Sequence, residues 1–367
     1  MTEKLAMTSY FEAMQKHGAS DLHLKVGSPP TLRVHGELKP LSDEVLTEER
    51  IRELLEGIAS KRQQEDYERA GNLDFAYSTP DARFRINVFQ QRGNTSVAVR
   101  LVHRLIKSFE ELHLPEAVRK VAELTQGMII VAGITGCGKS TTLAAMIEHI
   151  NATRRCHVVT IEDPIEYVYD DKQSFINQRE VGIDVDDFRT ALKYVVRQDP
   201  DVILIGEMRD RETIESAMAA AETGHLVFGT LHTSTAPQTL DRILNFFPRD
   251  RHRLIRHSLA FNLKAILCQM LLPSCREEID RVPAVEVMLT SPIVRKLILD
   301  GEDERLADAI RVGREEGMQD FTESFRQLVV DGLVDRQVAF ARAPSAEALK
   351  MAIKGIVGGE TGLLGGT

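Results

Sequence analysis

The sequence predicts an α/β protein of two domains, and three observations support this. Short, nearly all-apolar runs at 127–133, 157–163, 201–207 and 225–232 alternate with helical stretches. That alternation is typical of a doubly wound parallel sheet buried on both faces. A phosphate-loop pattern directly follows the first of these runs, and a length of 367 residues suits two domains of ordinary size.

Residues 1–100 are predicted to form a mixed α+β domain. A short helix at 5–17 is followed by one strand in "SDLHLKV" and a second in "TLRVHGEL". One helix is predicted from Thr47 to Arg69, where apolar residues recur at helical spacing. Three further strands follow, in "LDFAYS", "ARFRINVFQ" and "SVAVRLV". A linker with a helix, 101–120, is then expected to lead into the next domain.

The nucleotide-binding core is predicted over residues 121–290. From about residue 240 the apolar spacing becomes helical, and "DRHRLIRHSLAFNLKAILCQMLL" is predicted to be helix. A C-terminal helical region should occupy 291–354. The glycine-rich end, 355–367, is expected to be a loosely packed tail.

Composition narrows the functional class. A formal net charge of -9 and 5% aromatic residues argue against a chain that coats nucleic acid, so we expect no nucleic-acid partner. The sequence shows no apolar run of membrane-spanning length and no signal-peptide pattern, which favours a cytoplasmic protein that docks on a membrane complex. The four cysteines form no Cys-x-x-Cys pair, so reduced thiols are expected rather than a zinc site.

The segment "GITGCGKS" matches the phosphate-loop pattern G-x-x-x-x-G-K-S without a gap. Glycines let backbone N–H groups turn around phosphate oxygens, the lysine reaches the β- and γ-phosphates, and the serine binds Mg²⁺. The helix that follows favours an anion at its N-terminus. The predicted binding residues are Gly133, Ile134, Thr135, Gly136, Cys137, Gly138, Lys139, Ser140 and Thr141, with Ser140 as the Mg²⁺ ligand.

The strand in "DPDVILIGEMRD" ends at Glu207. In phosphate-loop enzymes an acid at the end of a neighbouring strand orients the attacking water or holds Mg²⁺, so Glu207 is the candidate catalytic acid. A carboxylate that only caps the next helix is the alternative. Arg197 and Arg209 flank this acid, and each suits either a γ-phosphate contact or a surface ion pair.

Two further groups of polar residues adjoin predicted strands. "TIEDPIEY" places Glu162, Asp163 and Glu166 after one strand, which suits a metal–phosphate centre, although Asp163 before a proline also suits helix capping. His225 and His232 lie at the two ends of the run "HLVFGTLH". They suit either a link between nucleotide state and neighbouring elements or a purely structural role.

Together these motifs resemble the secretion ATPase superfamily. The phosphate loop, "TIEDPIEY", "INQREVG", "DPDVILIGEMRD" and "AAAETGHLVFGTLHT" occur in the order found there, and the chain is most similar to the type IV pilus retraction ATPases of the PilT and PilU family. "GASDLHLKVGSPPTLRVHGEL" and "ARFRINVFQQRG" resemble the first domain of that family. The resemblance extends from about residue 15 to 340.

The resemblance implies a specific architecture and activity. It implies a PAS-like N-terminal domain and a RecA-like ATPase domain in a ring-shaped homohexamer, with ATP and Mg²⁺ bound between the domains. The family's work is pilus retraction and twitching motility, on the inner face of the cytoplasmic membrane, with a platform protein and a paralogous retraction ATPase as partners.

The resemblance also assigns roles to individual residues. "TIEDPIEY" would be the Asp box, with Glu162, Asp163 and Glu166, and Glu207 the Walker B acid. His225 and His232 would form the His box. First-domain arginines, nominally Arg85 and Arg100, would reach over the nucleotide.

Two departures from the family pattern leave alternatives open. Cys137 replaces a serine or threonine and would place an alkylation-sensitive thiol beside the phosphates. The retraction motif occurs as "IVRKLI", 293–298, with a lysine in place of an amide. The sequence does not distinguish a main retraction motor from an accessory one. An assembly ATPase is disfavoured because the chain has no four-cysteine insertion, and a non-catalytic regulator is disfavoured by Lys139, Ser140 and Glu207.

Overall fold

The computed structural model describes residues 6–34, 36–79, 82–102 and 105–355. The predicted tail at 355–367 therefore lies outside the described residues except for Gly355. Contacts divide the chain into two compact units, the first formed by residues up to 105 with 166–168 and the second by 106–165 with the residues from 169 onward.

The first unit is built on a six-stranded antiparallel sheet of order β3-β2-β1-β6-β5-β4. Its strands are β1 Asp21–Lys25, β2 Thr31–Val34, β3 Glu37–Pro40, β4 Asn72–Ser78, β5 Arg83–Gln91 and β6 Asn94–Val102; its helices are α1 Met7–Lys16, α2 Glu48–Glu56 and α3 Lys61–Ala70. Alternate residues of β5 are buried, and Phe84 stacks on Phe11 of α1 with ring centroids 4.1 Å apart. The sheet thus has one face packed against helix and one polar face.

Two predictions for this unit were wrong. The helix predicted from Thr47 to Arg69 is two helices, because Ser60 starts a new one: its side chain accepts from the Gln63 N–H and its own N–H donates to the Gln63 side chain. The second predicted strand is a hairpin of β2 and β3. Gly36 has φ of +85° in the turn between them, a conformation that glycine adopts without strain.

The second unit contains a seven-stranded sheet of order β13-β12-β7-β11-β10-β8-β9, in which only β12 and β13 are antiparallel. Its strands are β7 Gly127–Ala132, β8 His157–Glu162, β9 Phe175–Glu180, β10 Val202–Ile205, β11 Leu226–Leu231, β12 Leu263–Pro273 and β13 Arg281–Leu289. Every residue of β7, β10 and β11 is buried, as expected for strands with both faces covered.

Helices cover both faces of this sheet. They are α4 Glu116–Ala122, α5 Lys139–Thr153, α6 Phe188–Val195, α7 Arg211–Glu222, α8 Ala236–Leu244, α9 His252–Asn262, α10 Pro292–Asp300, α11 Leu306–Val312, α12 Phe321–Val330, α13 Arg336–Arg342 and α14 Ala346–Ile353. One core cluster lies between the sheet and α4 and α5, and a larger one lies between the opposite face and α6 to α14.

The helix predicted through residue 272 was wrong in its second half. Helix α9 ends at Asn262, and the chain continues as β12, which pairs with β7 and β13. A continuous apolar run does not distinguish a helix from a strand buried on both faces. Pairing with the central strand β7 decides this segment in favour of the strand.

Candidate nucleotide-binding site

The phosphate loop joins β7 to α5 at the carboxyl edge of the parallel sheet. Gly133, Gly136 and Gly138 have φ of +150°, +78° and +93°, which a residue with a side chain would adopt only under strain. Residues Ile134, Thr135 and Gly136 form an exposed crest. No side chain caps the N-terminus of α5, so backbone N–H groups of its first turn are available to an anion.

Lys139 is the first residue of α5, and its ammonium group bends back over the loop. Nζ donates hydrogen bonds to the carbonyl oxygens of Gly133 at 2.8 Å and Ile134 at 3.2 Å. The positive charge is therefore held at the loop itself, where phosphate oxygens would be bound. Ser140 and Thr141 follow in the first turn and are half-buried.

Cys137, expected to place an alkylation-sensitive thiol beside the phosphates, is a buried residue of the loop. The side chain is 3% exposed, and burial raises the pKa of the thiol. A Cβ added at Gly133 would lie 2.3 Å from the Cys137 Sγ, so the thiol points into the base of the loop. The expected sensitivity to alkylation is contradicted, because the reactive form of a cysteine is an accessible thiolate.

Glu207 lies two residues beyond β10, between the side chains of Arg209 and His232. Its Oε2 is 2.7 Å from Nη2 of Arg209, and its Oε1 is 3.2 Å from Nε2 of His232. The hydrogen bond from Arg209 is the main cause that lowers the pKa of Glu207, with the charges of Arg209 and His232 adding to it. The carboxyl group is consequently ionised at neutral pH.

Parallel pairing places these groups at one edge of the sheet. Leu231, the residue before His232, is the register partner of Ala132, the residue before the phosphate loop. Strand β10, which precedes Glu207, is the next neighbour of β11. The structure thus brings the loop, Glu207 and His232 together, as expected for strands that end at the same edge.

The carboxylates of "TIEDPIEY" have different partners. Glu162, at the end of β8, is buried and accepts from Oγ1 of Thr160 at 2.6 Å and from Nε2 of Gln178 at 3.3 Å. Asp163 lies 3.9 Å from Arg209, which extends the charged network of Glu207. Glu166 belongs to the first compact unit.

His225 lies outside this network. It immediately precedes β11, while His232 immediately follows it, so the two are separated by about 20 Å of extended chain. The Nδ1 atom of His225 is 2.9 Å from the Ala220 carbonyl and 3.0 Å from the Thr223 hydroxyl, contacts that join β11 to the end of α7. Within the second unit, the hydrogen bonds of His225 are thus local to β11 and α7.

Arg85 and Arg100 are cross-strand partners in the sheet of the first unit. Arg100 Nε donates to Asp21 Oδ1 at 2.8 Å, and Arg85 Nε lies 3.6 Å from Asp74 Oδ1. Both side chains are exposed, that of Arg100 to 70% and that of Arg85 to 39%. They therefore present two adjacent guanidinium groups on one surface of that sheet.

Gln269 belongs to the site although the sequence did not single it out. This buried residue of β12 donates from Nε2 to the Cys137 carbonyl at 2.9 Å and accepts from Oγ1 of Thr142 at 2.8 Å. It was missed because its segment was predicted to be helix. The available signal was a lone amide within the apolar run "AILCQMLL".

A strand–loop–helix with an N-terminal lysine, and an acid at the end of a neighbouring strand, define a P-loop nucleoside triphosphatase. Comparison with known protein families then identifies the family within this class. It belongs to the type II/IV secretion system protein family, whose model matches residues 1–334.

Two curated relatives and one solved structure are similar over most of the chain. The type IV pilus ATPase PilU of Pseudomonas aeruginosa is 41% identical over 342 residues, covering 93% of this chain and 89% of that protein. The type IV pilus retraction ATPase PilT of the same organism is 40% identical over 348 residues, covering 95% and 99%.

The crystal structure of the pilus retraction motor PilT with bound ADP matches with a TM-score of 0.88 at 39% identity, covering 94% of this chain and 99% of that one. The predicted family, α/β fold class and ATPase identity are confirmed by these matches. Across the described residues, none of the helices has the length and apolar character needed to cross a membrane.

Proposed function

We propose that this chain is an ATP-hydrolysing motor that powers the retraction of type IV pili. The observation that carries the proposal is the ionised Glu207, held between Arg209 and His232 at the sheet edge that also bears the phosphate loop. An acid in this position orients the attacking water in phosphate-loop enzymes. Similarity to PilT and PilU over more than nine-tenths of the chain supports a pilus as the load.

The residues present fit a bound nucleoside triphosphate. The exposed loop crest, the uncapped N-terminus of α5 and the ammonium group of Lys139 together provide hydrogen-bond donors and positive charge for phosphate oxygens. Mg²⁺, when bound, would neutralise charge on the β- and γ-phosphates, and Ser140 is the residue that would hold it.

Glu207 would accept a hydrogen bond, and then a proton, from the attacking water. Its lowered pKa keeps it ionised, so one oxygen can accept a proton from water while Arg209 and His232 fix the orientation of the carboxylate. His232 directly follows β11, which pairs with the strand that leads into the phosphate loop, and it contacts Glu207. It is therefore suited to couple the position of the Glu207 carboxylate to the conformation of the loop.

The wider assembly is part of the same proposal. The chain would act as a homohexamer on the inner face of the cytoplasmic membrane, with a pilus platform protein and a paralogous retraction ATPase as partners. Arg85 and Arg100 of the first domain would supply positive charge to the nucleotide during turnover. Nucleotide can shift the conformation of such a ring only by its differential affinity for the alternative states.

An ATPase assay with Glu207→Gln tests the chemical part. The amide preserves shape and removes the charge, so turnover should fall by about 100-fold or more while ADP binding is retained. Glu212→Gln, on the exposed side of α7, is the matched control and should hydrolyse ATP at the rate of the unaltered chain. Equal turnover in the Glu207 variant and the unaltered chain would refute the catalytic role.

A motility assay tests the cellular part. Cells that lack this chain should be piliated but unable to move on surfaces, and complementation with Glu207→Gln should not restore movement. Cells without pili would instead point to an assembly ATPase. The accessory motor remains the second candidate because identity to PilU is 41% and to PilT 40%; it predicts that deletion weakens surface movement without abolishing it.

A further inference from the structure

Gln269 is a polar residue in the middle of an apolar strand. Its side chain is on the face of β12 that bears Ala265 and Leu267, both part of the core beneath α5, and it is 5% exposed. Burying an amide without hydrogen-bond partners costs about 1–3 kcal/mol, so this side chain is stable in the core only where it finds partners. Both ends of this amide find partners in the phosphate-loop region.

The amide bridges the last turn of the loop and the first turn of the helix. Nε2 donates to the Cys137 carbonyl at 2.9 Å, while Oε1 accepts from the Thr142 hydroxyl at 2.8 Å. The Thr142 N–H in turn donates to the Gly138 carbonyl at 3.0 Å. The Cys137 carbonyl can only accept, so it selects the NH2 end of the amide and leaves Oε1 to accept from the Thr142 hydroxyl.

This contact determines how one peptide group of the loop is oriented. In a trans peptide the carbonyl and the next N–H point in opposite directions. Because the Cys137 carbonyl points inward to Gln269, the N–H of Gly138 points away from β12, on the side where an anion would lie. A flipped peptide would instead present carbonyl oxygen to the phosphates.

The loop also rests on residue 269 through close packing. A Cβ at Gly138 would lie 2.7 Å from Nε2 of Gln269, and a Cβ at Gly133 would lie 2.5 Å from its carbonyl oxygen. Both distances are shorter than any contact that a real Cβ makes. The two glycines thus allow the loop to approach Gln269 closely enough for the hydrogen bond to form.

We propose that Gln269 is a positioning residue for ATP binding, which holds the Cys137–Gly138 peptide with its N–H directed to the phosphates. The inference rests on the proposed function, since it assumes that this loop binds the nucleotide. Gln269 acts through the loop and does not itself contact the substrate.

Gln269→Met tests the inference, because methionine has a similar length and no hydrogen-bonding amide. Both hydrogen bonds of the amide are lost, and losing the one that orients the Cys137–Gly138 peptide should raise the KM for MgATP and the Kd for a fluorescent ADP analogue about 10-fold each, while kcat changes less. Gln64→Met is the matched control. It removes an amide hydrogen bond of 2.9 Å to the Ala59 carbonyl within the first unit and should leave the KM unchanged.

Gln269→Glu provides a readout that a purely structural role would not move. Its carboxyl group keeps an acceptor for Thr142 but, once ionised, has no proton to donate to the Cys137 carbonyl. The KM of this variant relative to the unaltered chain should therefore rise with pH. Thr142→Val, which removes the hydroxyl that donates to Oε1 and so loosens the amide, should raise the KM about 3-fold and serves if the Gln269 variants do not fold.

The outcomes separate the inference from the proposed function. Suppose that the unaltered chain hydrolyses ATP. The positioning role alone would then be overturned if the KM of Gln269→Met lay within about 2-fold of that of the unaltered chain and Gln269→Glu showed no pH trend. Absence of ATP binding and turnover in the unaltered chain would overturn the proposed function itself.

Discussion

Replacing Glu286 by glutamine should stabilise the protein at pH 8 and have little effect at pH 5. Glu286 is a residue of β13 with 7% of its surface exposed. It accepts a hydrogen bond of 2.8 Å from the Ala236 N–H at the start of α8. The Cys268 thiol lies opposite on β12, and the Asp320 carboxylate adds a like charge from the start of α12.

The magnitude follows from the pKa of this carboxyl group. Burial, with Asp320 adding to it, raises the pKa from 4.5 to about 7. The folded chain thus binds this proton more tightly than the unfolded chain, so the associated stability is complete below pH 4.5 and is lost as the pH rises through about 7. A difference of about 2.5 units corresponds to about 3 kcal/mol, or roughly 8 °C in Tm for a unit of this size.

Thermal unfolding of nucleotide-free protein between pH 5 and pH 8 measures this effect. Glutamine keeps an oxygen for the Ala236 N–H and removes the buried charge, so the Tm of the variant should exceed that of the unaltered chain at pH 8 only. Glu278→Gln, an exposed change in the turn before β13, is the control and should show no pH-dependent difference. A Tm difference that is independent of pH, or a less stable variant at pH 8, would refute the reasoning.

Three further results are expected at the nucleotide site. Lys139→Ala should abolish binding of a fluorescent ADP analogue, measured by anisotropy, because it removes the positive charge held over the loop. His232→Ala should lower kcat about 10-fold in a steady-state ATPase assay, whereas His225→Ala should change it less than 2-fold, since only His232 contacts Glu207; similar losses in both would contradict this assignment. Brief treatment with a maleimide should label the exposed Cys275 well before the buried Cys137, as followed by mass spectrometry of tryptic peptides.

The parts of the site that lie within one continuous segment could be predicted from the sequence. The phosphate-loop pattern fixes Lys139 and Ser140 because glycine spacing, strand and helix occur in one stretch. Glu207 and His232 could be placed because each lies within two residues of the end of a buried apolar run. Parallel pairing then required all of these residues to share one edge of the sheet.

The parts that depend on pairing between distant segments could not be predicted. Strand β12 was assigned to a helix, because an apolar run carries no period that separates the two. Gln269 therefore had no predicted neighbour.

Strand β12 explains why the phosphate loop has the shape that it has. It pairs in parallel with β7, so its backbone passes under the point where β7 ends and the loop begins. Gly133 and Gly138 both have a positive φ, and Gly133 is required a second time because a Cβ there would collide with the backbone of residue 269. The bond from Gln269 to the Cys137 carbonyl spans 132 residues of sequence. The orientation of the loop peptides is therefore a property of the folded sheet, and the eight-residue pattern alone does not determine it.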